Sequence, residues 1–189
     1  MSFFQMSNPA SARRLFLGQS GLMLSGAAVA LLSGNDALAA TAGAQTAGDA
    51  RILNTALGAE LEAIAAYQLG AESQLLEKSV LALALSFQGH HKEHAELLSK
   101  TIAKLGGKPV EAKAKYDFPV AQLKSQADVL TFAAQLEQGA VSAYLGAVPL
   151  FGNRDLAKAA ASILGDEAMH WAVLRQALGQ VAVPSAFVS

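Results

Sequence analysis

Hydrophobic residues recur at steps of three and four along four stretches of the chain, and this periodicity predicts four amphipathic α-helices. Helix-ending residues follow the second stretch, where Gly106 and Gly107 precede Pro109. We therefore expect an all-α fold. The predicted helices cover about 49–74, 75 or 78 to 105, 126–148 and 154–179.

The connection between the second and third predicted helices, 106–124, has no helical periodicity. Its nineteen residues can extend to roughly 60 Å, whereas a helix of about twenty residues is roughly 30 Å long. The connection can therefore run the full length of a bundle, which makes the second and third helices parallel. The expected architecture is a four-helix bundle in which a long crossover joins two helical hairpins.

Polar residues interrupt the apolar helix faces in a pattern that occurs twice. Each copy has a Glu and a Tyr seven residues apart on one helix, and two candidate metal ligands three residues apart on the next. The second copy follows the first by 77 residues at the Glu and Tyr positions and by 76 at the later pair, which indicates an internal duplication. The copies are Glu60, Tyr67, His91 and His94, then Glu137, Tyr144, Glu167 and His170.

These polar residues fall on the inward faces of the predicted helices, where an ionised carboxylate without a partner costs several kcal/mol. Divalent metal ions would supply the compensating charge. One Glu from each of two helices and an i, i+3 pair from each of the other two are the ligands of a dinuclear site in a bundle. We predict as ligands Glu60, His91, His94, Glu137, Glu167 and His170.

Roles follow from the symmetry of the two copies. Glu167 is expected to bridge the two ions, and His91 occupies the position that symmetry assigns to a second bridging Glu. Tyr67 and Tyr144 are expected to donate hydrogen bonds to the facing carboxylates, and His90 is expected beside the ligands.

Each of these residues has a plainer interpretation when taken singly. A His three residues from another His or Glu commonly lies on a solvated face, a lone Glu can reach water at the end of a bundle, and a Tyr on an apolar face usually packs. The matching order and spacing on four helices favours the metal site over these alternatives.

The first 39 residues resemble an export signal rather than part of the domain. The segment 11–17 contains Arg13 and Arg14 as in a twin-arginine signal, a weakly apolar stretch covers 21–32, and 37–39 offers a small-residue cleavage site. We expect cleavage after Ala39 and a periplasmic protein, or a membrane-anchored one if the signal stays attached. Twin-arginine export carries folded proteins, so metal would be bound before transport. A linker at 40–48, the bundle at 49–179 and a tail at 180–189 complete the expected organisation.

Composition excludes several classes of site and partner. The chain has no Cys, which excludes disulfides, thiolate zinc sites and iron–sulfur clusters. Removal of the signal takes away two basic and one acidic residue and leaves 12 basic against 14 acidic residues. Such a mild negative charge argues against a nucleic-acid partner.

The two E-x6-Y segments, together with Glu167-Ala-Met-His170, resemble the motifs of the ferritin-like superfamily, which includes rubrerythrins, bacterioferritins and exported bacterial ferritin-like domain proteins. The resemblance covers about residues 50–179. It implies a four-helix bundle with a di-iron or di-manganese carboxylate centre that reacts with dioxygen or peroxide, or that oxidises ferrous iron.

One ligand departs from the family pattern. The family carries E-x-x-H on both motif helices, but the first copy here reads His91-Lys92-Glu93-His94. With three carboxylates, two divalent ions leave a charge of +1, and the added nitrogen makes copper, zinc or nickel more competitive. A hydroxide, a different metal pair or single occupancy would also suit this site.

Two functions remain open at this stage. The first is a periplasmic non-haem oxidoreductase with two divalent ions, iron first and manganese, zinc or copper as alternatives, which acts on a small oxidant or a metal ion. It would need an external electron donor, since the chain has no Cys. During export it would bind the twin-arginine translocase. The second is a non-catalytic bundle for metal sequestration, stress protection or assembly, and a vestigial hydrogen-bonded network is a third interpretation. A homodimer is compatible with the sequence, whereas the short tail argues against a cage.

Overall fold

The computed structural model describes the backbone of residues 36–188 and the side chains of residues 41–188, and the chain from Thr46 onward forms one compact unit. The described backbone contains α-helices and short 3-10 turns but no strand, so the all-α prediction is confirmed. The α-helices are α1 (Asp36–Glu72), α2 (Lys78–Lys104), α3 (Gln126–Ala147) and α4 (Arg154–Ala177), and the 3-10 turns are Val120–Gln122 and Val148–Leu150.

The first helix begins earlier than expected. It starts at Asp36 rather than Asp49, so the predicted linker at 40–48 is helical. Alanine, which recurs through this segment, has the highest helix propensity and extends the helix despite two glycines. Residues 1–35 of the predicted export signal lie outside the described residues, and cleavage after Ala39 stays a prediction.

Local hydrogen bonds explain the other helix boundaries. The N-cap of α3 is Ser125, whose Oγ accepts a hydrogen bond from the Asp128 N–H at 3.2 Å, and Asp128 lies inside the first turn. Asn153 caps α4 in the same way through the Asp155 N–H at 2.8 Å. Gly106, with φ of +79°, ends α2 because a residue without a side chain adopts this backbone conformation easily.

One buried carboxylate that the sequence analysis missed joins α1 to the start of α4. Asp49 is 4% exposed, and its two oxygens accept hydrogen bonds from the N–H groups of Gly152 at 2.8 Å and Asn153 at 3.0 Å. These contacts hold the turn before α4 against α1 and thereby help to set the position of α4 in the bundle.

Two apolar clusters pack the helices on either side of a polar layer. In α2 and α3 the chain passes from the second cluster to the first, whereas in α1 and α4 it passes from the first to the second. The helices α2 and α3 are therefore parallel, as the predicted crossover requires. The first cluster includes Leu53, Leu57, Leu98, Ile102, Tyr144, Leu156 and Ile163, and the second Tyr67, Phe87, Leu130, Ala134 and Leu174.

The crossover between α2 and α3 contacts the domain through aromatic residues. Tyr116 stacks on Phe118 with ring centroids 5.5 Å apart, and Phe118 meets Phe132 of α3 edge to face at 5.7 Å. Within residues 36–188, no helix is both long enough and apolar enough to cross a membrane.

Candidate metal centre

The six predicted ligands meet in the polar layer between the two apolar clusters. They form two overlapping groups of four, and the ligand atoms of each group lie within 4.8 Å of one another. His91 and Glu167 belong to both groups, so they lie between the two potential ion positions. The groups are Glu60, His91, His94 and Glu167, and then His91, Glu137, Glu167 and His170.

Five of the six side chains are almost completely removed from water. None of Glu60, His91, Glu137, Glu167 and His170 is more than 2% exposed. The sixth, His94, keeps 14% of its side chain exposed. Water therefore cannot compensate the three carboxylates, and their charge must be balanced inside the bundle.

In the first group, His94 Nδ1 lies 3.0 Å from Glu167 Oε1 and 3.5 Å from Glu60 Oε2. The other oxygen of Glu60 accepts a hydrogen bond from the Tyr144 hydroxyl at 2.6 Å. In this half of the centre, α1 supplies a carboxylate, α2 supplies two imidazoles including the shared His91, and α4 supplies the shared carboxylate of Glu167.

The second group has matching residues: a Glu from α3 and a His from α4, together with the shared His91 and Glu167. His170 Nδ1 lies 3.5 Å from Glu137 Oε1 and 3.6 Å from Glu167 Oε2. The Tyr67 hydroxyl donates a hydrogen bond to Glu137. Each tyrosine thus donates a hydrogen bond to the glutamate of the opposite copy.

Several buried ligand atoms in this centre have no hydrogen-bond partner among the described residues. Such atoms are rare in folded proteins and require an explanation. All of them are nitrogen or carboxylate oxygen atoms of the kind that binds first-row divalent ions. Two of them are the oxygens of Glu167, and the others belong to residues grouped with it, so the donor set fits two ions that share this carboxylate. The atoms are His94 Nδ1, Glu137 Oε2, both carboxylate oxygens of Glu167, and His170 Nδ1.

The carboxylates change the protonation of the histidines. Burial lowers the pKa of each imidazole, but the adjacent carboxylates outweigh this effect and raise the pKa of His91 to about 10, of His94 to about 11 and of His170 to about 9. Protons therefore compete with metal ions for these nitrogens, and metal binding must release protons.

The pKa values of two glutamates are lowered, whereas those of the two tyrosines are raised. Burial raises the pKa of Glu60 and Glu137, yet the adjacent histidines outweigh this effect and hold both pKa values below the usual range. Burial and the charge of the facing glutamate raise the pKa of Tyr67 and Tyr144. The tyrosines therefore keep their protons and remain hydrogen-bond donors.

A carboxylate that the sequence analysis missed lies next to the ligands. Asp166 Oδ2 is 3.4 Å from Nε2 of both His94 and His170 and 3.2 Å from His90 Nδ1. Its spacing of four residues from His170 on one helix could have identified it. His90, predicted beside the ligands, lies with Nδ1 2.8 Å from His170 Nε2. A carboxylate or imidazole on the outer nitrogen of a ligating His orients the ring.

The model of the ferritin-like domain family matches residues 48–180 of the chain. The chain belongs to the ferritin-like family. Two solved structures share its fold. A conserved hypothetical protein from Mycobacterium tuberculosis has a TM-score of 0.66 and 23% identity over 76% of this chain and 99% of its own. A ferritin-like, diiron-carboxylate protein from Bacillus anthracis has a TM-score of 0.62 and 21% identity over 71% of this chain and 97% of its own.

Identities this low show the fold alone, and no curated protein matches the chain. Family membership and the buried donor set together identify a metal-binding ferritin-like protein. The predicted ferritin-like four-helix bundle is thus confirmed, while the role of each ligand stays a prediction supported by the geometry above.

Proposed function

We propose that this ferritin-like protein is a non-haem oxidoreductase that uses a dinuclear iron centre, or a manganese one, to act on peroxide, dioxygen or ferrous iron. The observation that carries the proposal is the set of buried ligand atoms without hydrogen-bond partners around Glu167. When bound there, a pair of redox-active ions would exchange electrons with a small oxidant and hold it in position.

The protein's own residues would bind and shield these ions. Glu60 and His94 would hold one ion, Glu137 and His170 the other, and Glu167 would contact both. The hydroxyls of the two tyrosines fix the orientation of Glu60 and Glu137, because each donates to one carboxylate oxygen. The apolar clusters on both sides exclude water from the centre.

We further propose that the protein is exported in folded form and works in the periplasm. The support is the Arg13-Arg14 signal in the sequence. A variant with Lys at both positions should accumulate in the cytoplasm, and cell fractionation would measure this. Because the chain has no Cys, electrons would come from an external donor.

The function can be tested on protein purified from its native compartment. We expect about two iron or manganese ions per chain by elemental analysis, together with consumption of peroxide, or of dioxygen in the presence of a reductant. Tightly bound zinc with no redox activity would contradict the proposal.

One observation favours a second candidate function, a non-catalytic metal-binding protein. His91 replaces a carboxylate at the centre of the site, so three imidazoles meet three carboxylates. Nitrogen ligands suit zinc and copper better than an all-oxygen site does. Stoichiometric zinc or copper without turnover of any oxidant would support sequestration, stress protection or an assembly role instead.

A further inference from the structure

A second group of potential ligands lies on the outer side of His170. His90 Nδ1 is 2.8 Å from His170 Nε2 and 3.2 Å from Asp166 Oδ2, and the last two atoms are 3.4 Å apart. Ligand atoms of these three residues lie within 4.8 Å of one another. A single ion between them could contact all three.

This outer group uses different atoms from the inner centre. His170 presents Nδ1 to Glu137 and Glu167, but it presents Nε2 to His90 and Asp166. Neither His90 nor Asp166 belongs to the two groups of four that form the inner centre. The outer group is therefore a separate potential site that shares one imidazole ring with the inner one.

The outer group also lies nearer to solvent than the inner ligands. The side chain of His90 is 40% exposed and that of Asp166 25% exposed, whereas that of His170 is 2% exposed. An ion that arrives from water can meet the first two residues before it reaches His170. It can then lose its bound water in steps rather than all at once.

We propose that His90, Asp166 and Nε2 of His170 form a third divalent-cation site, which takes up a metal ion from solvent on its way to the inner centre. Two imidazole nitrogens and one carboxylate oxygen suit Zn²⁺, Co²⁺ or Fe²⁺, and three protein ligands leave coordination positions open to water. The transit role rests on the proposed function of the inner centre, whereas binding at the outer site does not.

Sharing His170 makes the outer site and the adjacent inner site mutually exclusive. A neutral imidazole has only one nitrogen free to bind an ion, because the other carries the proton. While an ion occupies the outer site, the ring proton lies on Nδ1. Once His170 binds an inner ion through Nδ1, the proton lies on Nε2, where Asp166 can accept it in a hydrogen bond. The same carboxylate then changes from ligand to orienting group.

The experiment uses the chelator-treated protein and Zn²⁺ alone as the probe. With only four histidines in the chain, nuclear magnetic resonance of the ring nitrogens can follow each one, with assignment from single variants. We expect substoichiometric Zn²⁺ to shift His90 Nδ1 to the value of a metal-bound nitrogen early in the titration. A hydrogen bond without metal would not produce that shift.

A second measurement follows the rate of loading with Co²⁺ by stopped-flow absorption. We expect His90→Gln and Asp166→Asn each to slow the filling of the inner centre by roughly tenfold. The control is Asp117→Asn, which removes an exposed carboxylate from the crossover. It should leave the rate unchanged.

The outcomes separate this site from the inner centre. If Zn²⁺ reaches the rings of His94 and His170 without any shift at His90, and His90→Gln loads at the normal rate, the outer site is wrong and the inner centre stands. If Asp166→Asn slowed metal loading but His90→Gln did not, Asp166 would act only by orienting His170, and the outer site would also be wrong. Zn²⁺ at His90 that never reaches the inner rings would overturn the transit role and the proposed function. Absence of Zn²⁺ from all four rings would overturn both proposals.

Discussion

The α1–α2 hairpin and the α3–α4 hairpin repeat one ligand pattern but differ at one position. At the first residue of the i, i+3 pair, α2 carries His91 and α4 carries Glu167. The first hairpin therefore supplies one carboxylate and two imidazoles, whereas the second supplies two carboxylates and one imidazole. Both residues lie where the two groups of ligands overlap.

This difference changes what the shared position can do. Each oxygen of Glu167 can bind a different ion, but a neutral imidazole can bind only one. The ring of His91 spans the centre, with Nδ1 2.8 Å from Glu60 and Nε2 3.3 Å from Glu137. The two hairpins therefore keep a polar side chain at the same place in the fold but differ in its charge.

The largest effect should follow loss of Glu137 or Glu60. We expect Glu137→Ala to weaken Zn²⁺ or Fe²⁺ binding more than about 100-fold, since even partners outside the ligand set cost 10- to 100-fold. Calorimetric titration of Glu137→Ala and Glu60→Ala would show whether both hairpins contribute equally. The control is Glu62→Ala, because Glu62 lies about 200° around α1 from Glu60. A loss in the control as large as that in Glu137→Ala would mean that the helix face is wrongly assigned.

Stability without metal should depend on pH in a defined sense. The pKa values of His91, His94 and His170 are raised from 6.5 to about 10, 11 and 9. Their contribution to stability is therefore complete below about pH 6.5 and is lost as pH rises through 9 to 11. In the chelator-treated protein we expect the free energy of unfolding to fall by roughly 2 kcal/mol or more between pH 7 and 10.

Urea unfolding at several pH values would measure this fall, and protein loaded with Zn²⁺ serves as the reference because metal replaces the protons. His170, in the second hairpin, has the lowest of the three pKa values, so its imidazole should lose its proton first as the pH rises. If the free energy of unfolding of the chelator-treated protein stayed constant from pH 7 to 10, protonation of these histidines would not stabilise the fold.

The two tyrosines should have equal and intermediate effects. Tyr67→Phe and Tyr144→Phe each remove one hydrogen bond to a glutamate, so each should weaken metal binding by about 10- to 100-fold. Tyr116→Phe is the matched control, because Tyr116 lies in the crossover between α2 and α3. A change in metal affinity for Tyr116→Phe of the same size would show that the effect does not come from the centre.

The smallest expected effect concerns the choice of metal. His91→Glu makes the two hairpins alike and brings the number of carboxylates to four, which neutralises two divalent ions. We expect about a tenfold shift in relative affinity from Zn²⁺ toward Mn²⁺, because oxygen ligands favour the latter. Competition titrations would measure the shift. Unchanged metal content and an unchanged Co²⁺ spectrum would remove His91 from the ligand set.

The periodic pattern was sufficient to find the four helices and the six inward-facing Glu and His side chains, because both depend on spacing along one helix. It placed the start of α1 too late, since the Ala-rich segment 40–48 is helical without an amphipathic face. Asp49 was missed for a different reason. Its partners are N–H groups of the turn before α4, about a hundred residues away in the chain, and no local pattern identifies them.

Local spacing decided which residues of this protein share a helix face, because the geometry of an α-helix repeats every few residues. Packing of the four helices decided which atoms of those residues meet. The contact of His170 Nδ1 with Glu137 arises only when α4 packs against α3, and the contact of His170 Nε2 with His90 arises only when α4 packs against α2. Distances between atoms on different helices depend on how the bundle packs, and that packing is a property of the whole chain.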